Sequence, residues 1–144
     1  MKISKLMIYA LVGMILLNIA HAAGQKLIFS DVDVKVGGKT SNNLKDGDRI
    51  SDQAEPNDNI EFRVKVQNNF TIEQNIKIKD ITVKVTIQGI DNGDSLENES
   101  FNFDLSPEND RRVTLKFQVP LEVSEDIFDA IIHAEGTDAN STDY

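Results

Sequence analysis

The chain has no cysteine and no tryptophan among its 144 residues, and only two tyrosines, two histidines and three prolines. Without cysteine there is no disulfide, no thiol nucleophile and no thiolate metal site. Without tryptophan, and with Tyr9 and Tyr144 at the two ends, it lacks the aromatic platform on which a sugar ring commonly stacks. Basic residues are also scarce, 15 against 24 acidic ones, for a net charge of −9. A polyanion such as nucleic acid needs a basic face, and so does an anionic lipid surface, so neither is an expected partner. The acidity serves solubility.

What is present begins with the first 25 residues. Lys2 and Lys5 form a basic head, an uncharged apolar run extends from Leu6 to Ala20, and small residues at Ala20, Ala22 and Ala23 follow. This is the layout of a secretory signal peptide with cleavage between Ala22 and Ala23. The run is about 15 residues, short of the roughly 20 that cross a bilayer as a helix. The sequence thus divides into a signal helix or N-terminal anchor (1–22), a β-domain (23–136) and a flexible C-terminal tail (137–144). Cleavage leaves 122 residues with 13 basic and 24 acidic side chains, a net charge of −11. That length suffices for one core without covalent staples. An extracytoplasmic location, secreted or at the cell surface, follows from the leader.

Period-two alternation dominates the rest. Ile28, Val32, Val34 and Val36 share a first strand face interrupted at Ser30, and Gly37-Gly38 supplies a turn. Ile60, Phe62, Val64 and Val66 alternate with polar residues, the mark of a half-buried antiparallel strand. From Ile76 and Ile78 to Ile81, Val83, Val85 and Ile87 the apolar parity switches across Lys79-Asp80. A one-residue slip turns every side chain to the other face, so a β-bulge is predicted there. Asp91-Asn92-Gly93-Asp94 is a turn, Phe101, Phe103 and Leu105 a short strand, and Ser106 to Asp110 another turn. Val113, Leu115, Phe117 and Val119 form a strand stopped by Pro120, and Phe128, Ala130, Ile132 and Ala134 a last one ending at Gly136. The fold class is all-β, an immunoglobulin-like antiparallel β-sandwich of about seven strands.

Two blocks carry a family resemblance. Ala54-Glu55-Pro56-Asn57-Asp58-Asn59 leads into the alternating strand that closes at Asn68-Asn69. Leu105-Ser106-Pro107, the strand ending in Val119-Pro120, and the aromatic-led Ile127-Phe128-Asp129-Ala130-Ile131-Ile132 then follow one another. Together they resemble the surface-layer-associated immunoglobulin-like domains of archaeal and bacterial cell-surface proteins, close to the cell-adhesion-related (CARDB) and NEW3 types. The likeness spans Leu27 to Gly136. It departs at Asn57, where the pattern has glycine, although asparagine tolerates left-handed backbone better than most residues. The resemblance implies a structural or adhesive role and no shared catalytic residues.

An enzyme is not expected. His21 lies in the leader. His133 lies on the last strand opposite the apolar face, where a lone histidine reads as a surface residue, since a general base needs a positioned partner. No Gly-x-Ser-x-Gly and no glycine-rich phosphate loop occurs. The modification candidates are three sequons, at Asn69, Asn98 and Asn140. Asp46, Asp48 and Asp52 in one loop and Asp91 and Asp94 in another are weak calcium candidates, since that ion needs six to eight oxygens and ordinary turns use the same residues. No cofactor is expected. The functional expectation is a non-catalytic exported structural or adhesion module that presents loops and strand faces to a protein or cell-envelope partner. The alternatives are an accessory subunit of a surface or secretion complex, tethered to the membrane by an uncleaved N-terminal helix, and a secreted carbohydrate-binding or enzyme-accessory domain.

Overall fold

The computed structural model describes residues 9–11, 26–50, 52–124, 126–139 and 142–144. It is all-β in this part, with β1 (Tyr9–Leu11), β2 (Leu27–Val36), β3 (Lys39–Ser41), β4 (Asn59–Asn68), β5 (Ile78–Asp91), β6 (Asp94–Glu99), β7 (Phe103–Leu105), β8 (Asp110–Gln118) and β9 (Ile127–Thr137). One sheet runs β3-β2-β4-β8, and the other runs β1-β9-β5-β6 with β7 also paired to β5. All pairings are antiparallel except that of β1, which lies parallel to β9 with Tyr9, Ala10 and Leu11 opposite Ile127, Phe128 and Asp129. The predicted signal helix otherwise lies outside the described residues.

The alternation read from the sequence decides which side chains meet between the sheets. From β4, Ile60, Phe62, Val64 and Val66 are fully buried. Val83, Val85 and Ile87 of β5 and Ala130 and Ile132 of β9 are equally inaccessible. Phe62 and Phe117 meet edge to face across β4 and β8, with centroids 5.7 Å apart. Burying side chains of this size contributes about 1.5–3 kcal/mol each before conformational entropy is subtracted, which accounts for a core that holds without disulfides.

The predicted bulge in β5 is present. The register shifts between Ile78 and Ile81 against β7 and between Lys79 and Thr82 against β9, with Asp80 at φ 51°. It keeps Ile78 and Ile81 both on the core side. Gly37 and Gly38 make the β2–β3 hairpin at φ 53° and 99°, and Asn57 adopts φ 71°.

Two expectations are corrected, and two further features appear. A second bulge between Phe29 and Asp31 reverses the parity of early β2, so Leu27 is buried and Ile28 is only half-buried. Phe101 lies outside any strand and is 97% exposed, because β7 starts only at Phe103. The polar run Asp94–Glu99 forms β6 by pairing with β5, although nothing apolar in it but Leu96 signals a strand. The last strand passes through Gly136 to Thr137 and the expected tail returns to it. Thr137 bridges Asp143, and Tyr144 exchanges backbone hydrogen bonds with Gly136 at 2.9 and 3.2 Å.

Candidate functional site

The outer face of the β3-β2-β4-β8 sheet is a lattice of charge built by register. Because Asp31, Lys65 and Arg112 are successive cross-strand partners, the Arg112 guanidinium reaches over β4 to Asp31 and, at 3.1 Å, to Asp33. Both carboxylates, Asp33 foremost, hold the guanidinium pKa above its ordinary value. Asp31 Oδ1 is buried without a hydrogen-bond partner. One strand row away, Arg63 Nε donates to Glu61 at 2.6 Å. That bond, aided by Lys116 and Lys35, pulls the Glu61 carboxyl below the usual range.

The other sheet repeats the arrangement. Lys84 Nζ stands 2.8 Å from Glu97 across β5 and β6, which raises the lysine and lowers the glutamate. Lys77 lies 2.7 Å from Asp104, and the Asp80 backbone N–H donates to the same carboxylate at 3.1 Å. Together they depress the Asp104 pKa and pin the bulge to β7. Arg112 and Lys84 are matched by carboxylates on other strands, Asp104 by Lys77 just before β5, and Glu61 by Arg63 two residues along its own strand. Such pairs fix register and solvate a face.

The acidic loops are built as turns. Asp48 accepts the Lys45 N–H at 2.7 Å and returns its own N–H to the Lys45 carbonyl at 3.0 Å. Asp52 faces Lys39 at 3.7 Å. Asp91 and Asp94 are register partners closing a hairpin over Asn92 and Gly93, at φ 51° and 98°. Asp46 belongs to the first turn. Among the described residues, no group of three or more histidines or carboxylates gathers closely enough to hold a metal ion.

The sequons differ in what surrounds them. Asn69 is exposed just after β4, with its backbone N–H on the Lys26 carbonyl at 2.6 Å. Asn98 lies within β6, half-buried, and its side-chain amide donates to the Lys116 carbonyl at 3.0 Å. Asn140 lies outside the described residues, as do the cleavage candidates Ala22 and Ala23. His133 is half-buried on the outer face, 3.4 Å from Glu135. The described surface carries half-open depressions. One of about 480 Å³ lies against Lys35, Gly37, Asp58, Glu61 and Lys116. Asp58 there already accepts the Glu55 N–H at 2.8 Å, an internal turn bond.

Sequence reasoning missed Asn68. Its side chain is fully buried and donates to the carbonyls of Ile76 at 3.0 Å and Leu105 at 2.9 Å, while Oδ1 accepts the Phe70 N–H at 3.0 Å. Three segments are tied at one amide. The signal was available, since Asn68 continues the inward parity of Ile60 to Val66.

The outward edge of β9 is the remaining feature. Tyr144 bonds the outward N–H and carbonyl of Gly136, so by strand periodicity the backbone groups of Ala134, Ile132, Ala130 and Phe128 also point away from β5. Comparison with protein-family models, curated proteins and solved structures finds no match.

Proposed function

We propose that this chain is an exported, non-catalytic immunoglobulin-like module of the cell surface that acts by presenting loops and strand edges to a partner. The reading rests on the leader-like N-terminus together with the disposition of the charged groups. The displaced carboxylates Glu61, Glu97 and Asp104 are each neutralised by a cation on the surface, an arrangement that serves a scaffold and leaves none of the three poised as a general acid or base.

Strand order supports the immunoglobulin-like assignment. Such sandwiches place strands A, B and E in one sheet and C and F together in the other. Here β2, β4 and β8 match the first group and β5 and β9 the second. The surface-layer resemblance adds an adhesive role and a cell-envelope partner.

N-terminal sequencing and intact mass of the protein recovered from its native envelope test this reading. A start at Ala23 is the expected result, and mass added in hexose-sized increments would place glycans on the sequons. A start at Met1 overturns the cleaved module in favour of a tethered accessory subunit.

A further inference from the structure

We propose that the outward edge of β9 from Phe128 to Ala134 is a strand-acceptor site for an extended, uncharged apolar segment laid parallel to it. The chain's own N-terminal segment is the occupant until processing removes it. The inference extends the proposed function, because it takes the immunoglobulin-like strand assignment and the cleavable leader from it.

Three observations carry it. First, the position beside strand F, where a seventh strand G would complete this kind of sheet, is the outward edge of β9. Second, Tyr9–Leu11 already pairs there, parallel and in register with Ile127–Asp129. At the far end Tyr144 closes only Gly136. Between them, among the described residues, no strand pairs with the outward backbone groups of Ala130, Ile132 and Ala134. Third, the side chains of these three residues are buried in the core. An open edge of this kind pairs with whatever strand reaches it, unless charge, proline or a bulge prevents pairing. No proline lies in β9, its register with β5 is unbroken from Ala130 to Glu135 and shifts only before Thr137, and its carboxylates Asp129 and Glu135 alternate with the buried residues on the exposed face.

Main-chain hydrogen bonds would supply the affinity, and apolar side chains set against Phe128, Ala130 and Ile132 the selectivity. The run Leu6 to Ala20 is uncharged throughout and supplies that chemistry. Cleavage after Ala22 would release it and open the edge, so a segment of the same chemistry from a partner polypeptide would take its place.

The absence of native cysteine makes a direct test possible. In the full chain, made without export and shown by mass to retain Met1, the pair Tyr9→Cys and Ile127→Cys should oxidise to an intramolecular disulfide. Register partners on paired strands stand within the span that a disulfide bridges. The displaced pair Tyr9→Cys and Ala134→Cys should cross-link at least tenfold more slowly. Equal rates, no cross-link, or cross-links only between chains would overturn the assignment of the occupant.

A labelled peptide with the sequence of residues 6–16, flanked by lysines for solubility, then reports the acceptor site. It should bind protein that starts at Ala23 and lose at least tenfold in affinity for the disulfide-locked full chain. Equal binding to both, or to neither, overturns the site. N-terminal sequencing decides processing independently, so failure of the leader reading and failure of the edge are distinguishable.

Discussion

Among the described residues Asn68 is one of two buried polar side chains, and it makes three hydrogen bonds. Replacing it with leucine removes the amide and leaves the carbonyls of Ile76 and Leu105 and the N–H of Phe70 buried and unpaired. Each orphaned group costs about 1–3 kcal/mol, and partial relaxation reduces the sum. Asn68→Leu is therefore expected to lose about 3 kcal/mol, read as a lower urea midpoint with an unchanged slope. Gly136 is a second such position. A Cβ there would stand 2.8 Å from Ile81 Cγ1 and 2.9 Å from Ile78 Cγ2, with the Lys79 carbonyl at 3.2 Å. The β5 bulge crowds that spot, so Gly136→Ala should cost about 1–3 kcal/mol through overpacking. An unchanged thermal midpoint would show that β5 does not pack against Gly136 in this way. Neither residue stands out as important in the sequence alone. A glycine at the end of an alternating run looks like a terminator, and an asparagine there looks like a turn.

At the scale of elements, the β5 bulge is where sequence and structure agree most closely. The parity switch between Ile78 and Ile81 is legible because apolar residues stand on both sides of it, and only an inserted residue keeps both sets inside. The bulge in β2 misleads by the same physics. Ile28 and Phe29 are both apolar, so nothing in the pattern says which faces inward until Leu27 is seen to be buried. The β6 strand was illegible because its residues form an exposed edge, where pairing with β5 rather than burial defines the strand. The ion pairs, and hence the character of the surface, depended on cross-strand register, which alternation alone does not fix.

The bulge also makes two predictions. Asp80 sits at φ 51°, so Asp80→Gly should be neutral or slightly stabilising, whereas Asp80→Val should lose about 1–3 kcal/mol. Asp104, which receives the Asp80 N–H and the Lys77 ammonium, has a depressed folded pKa. A depressed carboxylate contributes stability that is present above its unfolded value, about 4, and is lost as pH falls through the folded value. The stability gap between the parent chain and Asp104→Asn should therefore be open at pH 7 and narrow on acidification below about pH 4, followed by urea melts across pH. A gap independent of pH would mean the Lys77 pair contributes nothing to the titration.

The whole molecule separates charge from apolar surface completely enough that its acidity can be tested as a bulk property. Its net charge is −9, and in the first acidic loop Asp48 closes its own backbone and Asp52 faces Lys39, while Asp91 and Asp94 are register partners at a hairpin. An ion-specific site would need six to eight convergent oxygens, and calcium would then be distinguished sharply from the smaller, octahedral magnesium. A diffuse negative field discriminates far less between two divalent cations of equal charge. Millimolar calcium and millimolar magnesium, compared at matched ionic strength, should therefore shift the thermal midpoint equally, to within about 1 °C. The Asp46→Asn/Asp48→Asn and Asp91→Asn/Asp94→Asn pairs should leave that equality unchanged. A calcium shift several degrees beyond that of magnesium, abolished by one of these pairs, would instead show that the turn is a ligand loop that closes around its ion.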